Sequence, residues 1–228
     1  QFDNNSNVQK RNAILTFFSF LWSSLCLLFF APMISPYKLA AERHNVIICV
    51  KLKPLKDSNK KNAFVVSTYH MPCAFQNPPL MTIHAALAAQ FVHKFSQNSP
   101  YILAGDFNFK PHDPQYKLYL HGKLDETADR HALPPSISQW KVQLPAKLRS
   151  AYVEANGSEP PFTNWSQVKN DPVFKDTLDF IFLSDHKRWQ VQSVRDLSTI
   201  TNGPFPNKSE PSDHLLLAAT LSLNTSNK

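Results

Sequence analysis

The stretch "YILAGDFNFKPHDPQY", Tyr101–Tyr116, decides how the rest of the chain is read. An apolar run, Tyr101 to Ala104, stops at Gly105 in a chain with only four glycines, and Asp106 and Asn108 follow two residues apart. The run reads as a strand. Side chains two apart on a strand project to the same side. Asp106 and Asn108 are therefore expected together at its carboxyl end, where functional groups on a layered sheet tend to collect. Gly, Asp, Asn and Pro are all turn formers as well, so a plain turn accounts for the same residues equally well. The task expected of Gly105 is a sharp backbone turn, with Pro111 and Pro114 stiffening the loop behind it.

Strands and helices alternate on both sides of this stretch. "NVIICVKL" (Asn45–Leu52) and "AFVVSTYH" (Ala63–His70) are rich in β-branched residues and joined by a lysine-rich link, which predicts a hairpin or meander. "PPLMTIHAALAAQFVHKFS" carries Met81, Ala85, Leu87, Ala88, Phe91, Val92 and Phe95 at helical spacing behind a proline, the pattern of an amphipathic helix. "HDPQYKLYLHGKL" predicts a short helix and "LRSAYVEA" a mixed segment. "TLDFIFLS", "WQVQSVRDL" and "HLLLAATLSL" predict strands. The fold class is α/β, with about six strands in sheets and the helices packed outside them.

Composition narrows the function. At 43% hydrophobic and 12% aromatic residues, the 228-residue chain is no disordered polymer, and its length suits one large domain. A net charge of +7 suits a polyanionic partner such as RNA, DNA or a phosphorylated nucleotide, without requiring one. Cys26, Cys49 and Cys73 are odd in number and have no metal-ligand spacing, which argues against a disulfide framework or a zinc site. "AILTFFSFLWSSLCLLFFAPMI", Ala13–Ile34, is 22 residues without a charge behind Lys10 and Arg11. It fits a membrane anchor, a signal sequence or a segment foreign to the fold. The expected division is therefore a tail and apolar segment over 1–36 and a globular part over 37–228.

Polar residues bound nearly every predicted strand of that globular part. His70 ends the second, Asp106 and Asn108 end the third, Asp179 lies in "TLDFIF", and Asp213 and His214 precede the last. Each alone has a structural explanation: a loop histidine, an aspartate paired with arginine, a turn. Together they offer carboxylates and an amide to a hard divalent cation, with imidazoles for phosphate contact and proton transfer. "YHMP", "GDFN", "TLDFIF" and "PSDHLLL", in this order, resemble the endonuclease/exonuclease/phosphatase superfamily. "LRSAYVEANGSEPPFTNW" and "FKDTLDFIFLSDH" are similar to its deadenylase-like branch.

The resemblance, over about Asn45–Leu223, implies a four-layer α/β sandwich, here partial, with the site at the shared edge of two central sheets. It implies Mg²⁺, with Mn²⁺ as an alternative, held by Asp106, Asn108 and Asp213. It implies that Asp106 and Asn108 orient the attacking water, that His214 contacts the phosphate and that Asp179 fixes the His214 ring. His70 would stabilise charge on the phosphate or leaving group. Asn164 and Phe174 would contact and stack on a purine, although Phe174 fits plain core packing equally well.

Two parts of the family pattern are missing: an early strand with a metal-proximal Asn, and a Gln-Glu whose Glu is a principal ligand. Before His70 the only acids are Asp3, Glu42 and Asp57. The expectation is a Mg²⁺-dependent phosphodiesterase acting on RNA 3′ ends or a nucleotide phosphate, impaired in this chain by the missing Glu. The alternative is an inactive nucleotide-binding remnant, attached to a membrane if the apolar segment is an anchor. The compartment is open, cytoplasmic by resemblance.

Overall fold

The computed structural model describes residues 34–55, 62–137, 139–184 and 188–224. The chain divides into two units, Gln1–Ser35 and Pro36–Lys228, and the fold below is that of the second. The apolar run at Ala13–Ile34 lies, but for Ile34, outside the described residues. Among the described residues no helix is long and apolar enough to cross a membrane.

The elements run α1 (Pro36–Ala41), β1 (Ile47–Leu52), β2 (Phe64–Tyr69), α2 (Pro78–Ser96), β3 (Tyr101–Asp106), α3 (Pro114–His121), β4 (Leu148–Ser150), α4 (Ala151–Asn156), β5 (Asn164–Ser166), β6 (Phe174–Asp176), β7 (Asp179–Ser184), β8 (Trp189–Val194) and β9 (Ala219–Leu223). The main sheet has five strands in the order β1-β2-β3-β7-β4. Only the β2–β3 pair is parallel, and α2 supplies its crossover. The expected α/β architecture is present, and two small sheets, β5–β6 and β8–β9, complete it.

Strand alternation sorts the core into two layers. Val65, Tyr101, Leu103, Phe180 and Phe182 face α2 and α3, and bury against Met81, Ala85, Ala89, Val92, Leu118 and Tyr119. Ile102, Ile181 and Leu183 face the other way, onto Trp189, Val191 and Leu221 of the β8–β9 hairpin. Helices thus cover one face of the main sheet and a second sheet covers part of the other. On β1 the same alternation leaves Ile48, Val50 and Leu52 exposed, at 42–57%.

Several expectations need correction. The last strand begins at Ala219 rather than His214, because Asp213 to Leu215 pair beside β5, and the chain rejoins the β8 side only at Ala218, whose carbonyl accepts from Arg195 N. The short strands β5 and β6 were not expected at all. Helix α2 is less cleanly amphipathic than its spacing predicts: Met81, Ala85, Ala88 and Val92 are buried, but Leu87, Phe91 and Phe95 form an exposed stripe. Pro114 does not stiffen a loop; it opens α3, where its missing N–H has no helical partner to lose.

Gly105 does not turn the chain either. It sits inside β3 with φ of 147°, and a Cβ there would lie 2.1 Å from the Tyr69 carbonyl oxygen. Only glycine lets β3 pass so close to β2. The turn comes three residues later at Asn108, whose φ is 53°.

Candidate active site

The sequence Asp106-Phe107-Asn108-Phe109 builds the floor of the site by alternation. Phe107 and Phe109 are 0% and 1% exposed, packed against Phe180, Phe182 and Tyr119 with ring centroids 5.3–6.5 Å apart. Burying each phenyl group is worth about 1.5–3 kcal/mol. Anchoring both rings in the core presents Asp106 and Asn108 at the sheet's end. The Asn108 N–H donates to Asp106 Oδ1 at 2.9 Å, and Asn108 Nδ2 donates to the Met71 carbonyl at 2.9 Å. The amide is oriented by its nitrogen, which leaves Oδ1 as its acceptor.

Sheet register supplies the next carboxylate. Asp106, last in β3, pairs directly with Asp179, first in β7. Asp179 Oδ2 accepts from His214 Nδ1 at 2.8 Å and from the Thr163 hydroxyl at 2.7 Å. The Thr163 hydroxyl in turn accepts the N–H groups of Leu178 and Asp179 at 2.9 and 3.0 Å. With every hydrogen-bonding position used and no exposed surface, Thr163 locks the Asp179 carboxylate. Sequence reasoning missed it, although it stands beside Asn164 in "FTNW".

The Asp179 bond fixes the tautomer and plane of the His214 ring and turns Nε2 toward Asp106 Oδ2, 3.8 Å away. From the other side His70 Nε2 comes within 3.4 Å of the same oxygen, with its side chain 74% exposed. Asn45 Nδ2 holds the His70 carbonyl at 2.8 Å. Two imidazoles thus flank one half-buried carboxylate.

The electrostatics follow from this crowding. Burial pushes the Asp106 carboxyl up, and the Asp179 charge adds to it, against the pull of the Asn108 N–H, His214 and His70. His214 is raised to about 8, chiefly by its hydrogen bond to Asp179 and then by the charges of Asp179, Asp106 and Asp213; burial works the other way. A histidine raised above its unfolded value stabilises the fold fully below pH ~6.5 and loses that contribution as pH rises through about 8. In EDTA, therefore, the unfolding free energy should fall by roughly 1 kcal/mol between pH 6.5 and 9. His214→Gln should flatten this slope, which urea titrations at the two pH values would measure.

A cleft of about 630 Å³ opens beside these groups, lined among others by Asn108, Lys110, Asn164, Phe174, Asp213 and His214. Asn164 Nδ2 donates to Asp213 Oδ2 at 3.3 Å, and its Oδ1 accepts from Ser166. One N–H and one lone pair of the amide remain for a ligand. Phe174 belongs to none of the hydrophobic clusters and has the Lys110 ammonium 5.2 Å from its ring centre. Asp176 fixes that ammonium at 2.8 Å.

All the residues singled out from the sequence therefore converge on one end of the main sheet. Asp106, Asp179 and His214 bring ligand atoms within 4.8 Å of one another. His214 Nδ1 and one Asp179 oxygen are already committed to each other, so Asp106, with the Asn108 amide oxygen, is the better match to a hard cation. Asp213 is not part of this cluster; it lines the same cleft, its carboxylate held by Asn164.

Fold and site together define a layered α/β protein built on the phosphoesterase plan. The chain belongs to the endonuclease/exonuclease/phosphatase family, whose profile matches residues 15–214. The match begins inside the apolar run. The CCR4-Not complex 3′-5′-exoribonuclease subunit Ccr4 of Aspergillus clavatus is 36% identical over 126 residues, 53% of this chain and 18% of its own. Human nocturnin is 33% identical over 129 residues, 54% of this chain and 24% of its own. The chain thus spans less than a quarter of the length of these two curated relatives. Among solved structures, the 2′,3′-cyclic phosphatase ANGEL2 in complex with adenosine-2′,3′-vanadate shares the fold. Its TM-score is 0.61 at 23% identity, over 86% of this chain and 65% of that one.

Proposed function

We propose that this chain is the catalytic part of a Mg²⁺-dependent phosphodiesterase that removes nucleotides from RNA 3′ ends, adenylate first among them. The observation that carries the reading is the line Asp179–His214–Asp106, with contacts of 2.8 and 3.8 Å. One carboxylate holds the ring, and the ring's other nitrogen faces a second carboxylate at the mouth of a nucleoside-sized cleft. The name of the Aspergillus relative, a 3′-5′-exoribonuclease, supports the same choice.

Asp106 and Asn108 would hold the cation, with Asp213 reaching it directly or through water; Mn²⁺ has the same oxygen-ligand chemistry. A bound Mg²⁺ would polarise the phosphate oxygens and lower the pKa of a coordinated water. The protein's own part is positioning and proton transfer. His214 Nε2 binds the phosphate and serves the attacking water, His70 neutralises charge on the far side, and Asp179 keeps His214 in one tautomer. Phe174 stacks on the terminal base while Asn164 hydrogen-bonds its edge.

The test follows 5′-labelled oligoadenylate with purified chain, in millimolar Mg²⁺ and in EDTA, for parent and Asp179→Asn. The amide keeps the shape but favours the wrong tautomer, so the rate should fall by about 10²-fold. The Mg²⁺ concentration for half activity should stay the same. A large shift in that concentration would make Asp179 a ligand and overturn its role. A parent that binds adenylate but never cleaves it would favour the binding-remnant alternative.

A further inference from the structure

We propose that the polar cleft beside the β2–α2 loop is a second subsite for the phosphodiester upstream of the scissile one, an inference that rests on the adenylate reading above. The ligand it implies is an oligonucleotide rather than a mononucleotide phosphate. The cleft measures about 390 Å³ and is lined by Arg43 and the run Cys73, Ala74, Phe75, Gln76 and Asn77. Cys73 and Phe75 also line the main cleft, so the two clefts share a wall.

Their placement gives the substrate a direction. Asn164 and Phe174 lie on the His214 side of Asp106, where Asn164 forms a bridge with His214. Arg43 lies on the His70 side, two residues from the Asn45 that holds the His70 carbonyl. A ligand with its terminal nucleoside on Phe174 and its phosphate at the catalytic groups would continue past His70 into the Arg43 cleft. A mononucleotide has nothing to place there.

The lining chemistry matches a sugar–phosphate with an unstacked base. Arg43 is exposed, and among the described residues no carboxylate pairs with it. Its planar fork of donors suits a phosphodiester. Phe75 is 70% exposed, a ring on which any base can stack. The helix start beside it offers the anion no rival: Pro78 and Pro79 have no N–H, and the Asn77 side chain already accepts from Leu80 N. Among the described residues that line this cleft, the positive charge is Arg43.

The experiment measures equilibrium binding of adenosine 5′-monophosphate and of triadenylate (ApApA) to the full chain without divalent metal, for parent, Arg43→Ala and Arg43→Lys. Triadenylate should bind the parent about tenfold more tightly than the monophosphate, the value of one charge-assisted phosphate contact. Arg43→Ala should remove most of that step and leave the monophosphate unchanged. Its slope of log affinity on log salt for triadenylate should drop by about 0.7, which Arg43→Lys should restore. Equal affinity for the two ligands, or an Arg43→Ala effect shared by both or absent from both, would overturn the subsite. Triuridylate showing the same Arg43-dependent step would keep the subsite and sink the adenine preference. A parent that binds none of these ligands would overturn both.

Discussion

Asp106→Ala is expected to lower phosphodiester hydrolysis by about 10²–10⁴-fold while leaving the fold intact. Among the described residues, Asp106 is the one carboxylate that meets both imidazoles, His70 at 3.4 Å and His214 at 3.8 Å, and it holds the Asn108 N–H as well. No neighbour can replace it, because Thr163 and His214 hold Asp179 and Asn164 engages Asp213. Burial and the facing Asp179 make its charge costly, so alanine relieves that repulsion while giving up the two hydrogen bonds from Asn108. Gain and loss should nearly cancel, leaving stability within about 1 kcal/mol of the parent. The check is turnover at saturating Mg²⁺ alongside urea unfolding. Near-parental turnover would remove Asp106 from the mechanism, and a collapsed fold would make its role structural.

Gly105→Ala should have the opposite signature, a large loss of stability. Its Cβ would lie 2.1 Å from the Tyr69 carbonyl oxygen, which belongs to the backbone of β2 and cannot rotate away. The residue's φ of 147° is also strained for any side chain. Together these should cost at least about 3 kcal/mol, a large part of the ~5–15 kcal/mol that holds a typical domain folded. Urea titration followed by tryptophan fluorescence measures it. A loss under about 1 kcal/mol would show that β2 and β3 separate freely at this point. Any remaining folded fraction should also bind metal poorly, because Met71 N is hydrogen-bonded to the Asp106 carbonyl and its own carbonyl to Asn108.

Of the candidate site residues, Asn164 and Phe174 come only from the resemblance. The others, His70, Asp106, Asn108, Asp179, Asp213 and His214, stand out in the sequence because each interrupts or bounds an apolar strand, and strand ends are where polar groups escape the core. Asp106 and Asn108 show why. The period of two that sends Phe107 and Phe109 inward sends these two outward, and that period is written in the chain. The main strands and α2 were legible for the same reason, since each is long enough to display its period. Strands β5 and β6 are three residues each, too short to show one. Their position comes from partners distant in sequence: Thr163 accepts Leu215 N, and Trp165 N donates to Asp213 O. That pairing also removes His214 and Leu215 from the last strand.

Tertiary structure alone decided the rest. It made Gly105 a point of close approach between neighbouring strands rather than a turn, which depends on the position of Tyr69. It set Asp106 opposite Asp179 by register, gave Thr163 its hold on the carboxylate, and laid the Arg43 cleft against the main one. It also left Leu87, Phe91 and Phe95 exposed on a helix whose spacing alone buries them. Periodicity records which way a side chain points from its own backbone. Which atoms it then meets depends on elements tens of residues away, and the pattern of a single segment carries no information about those.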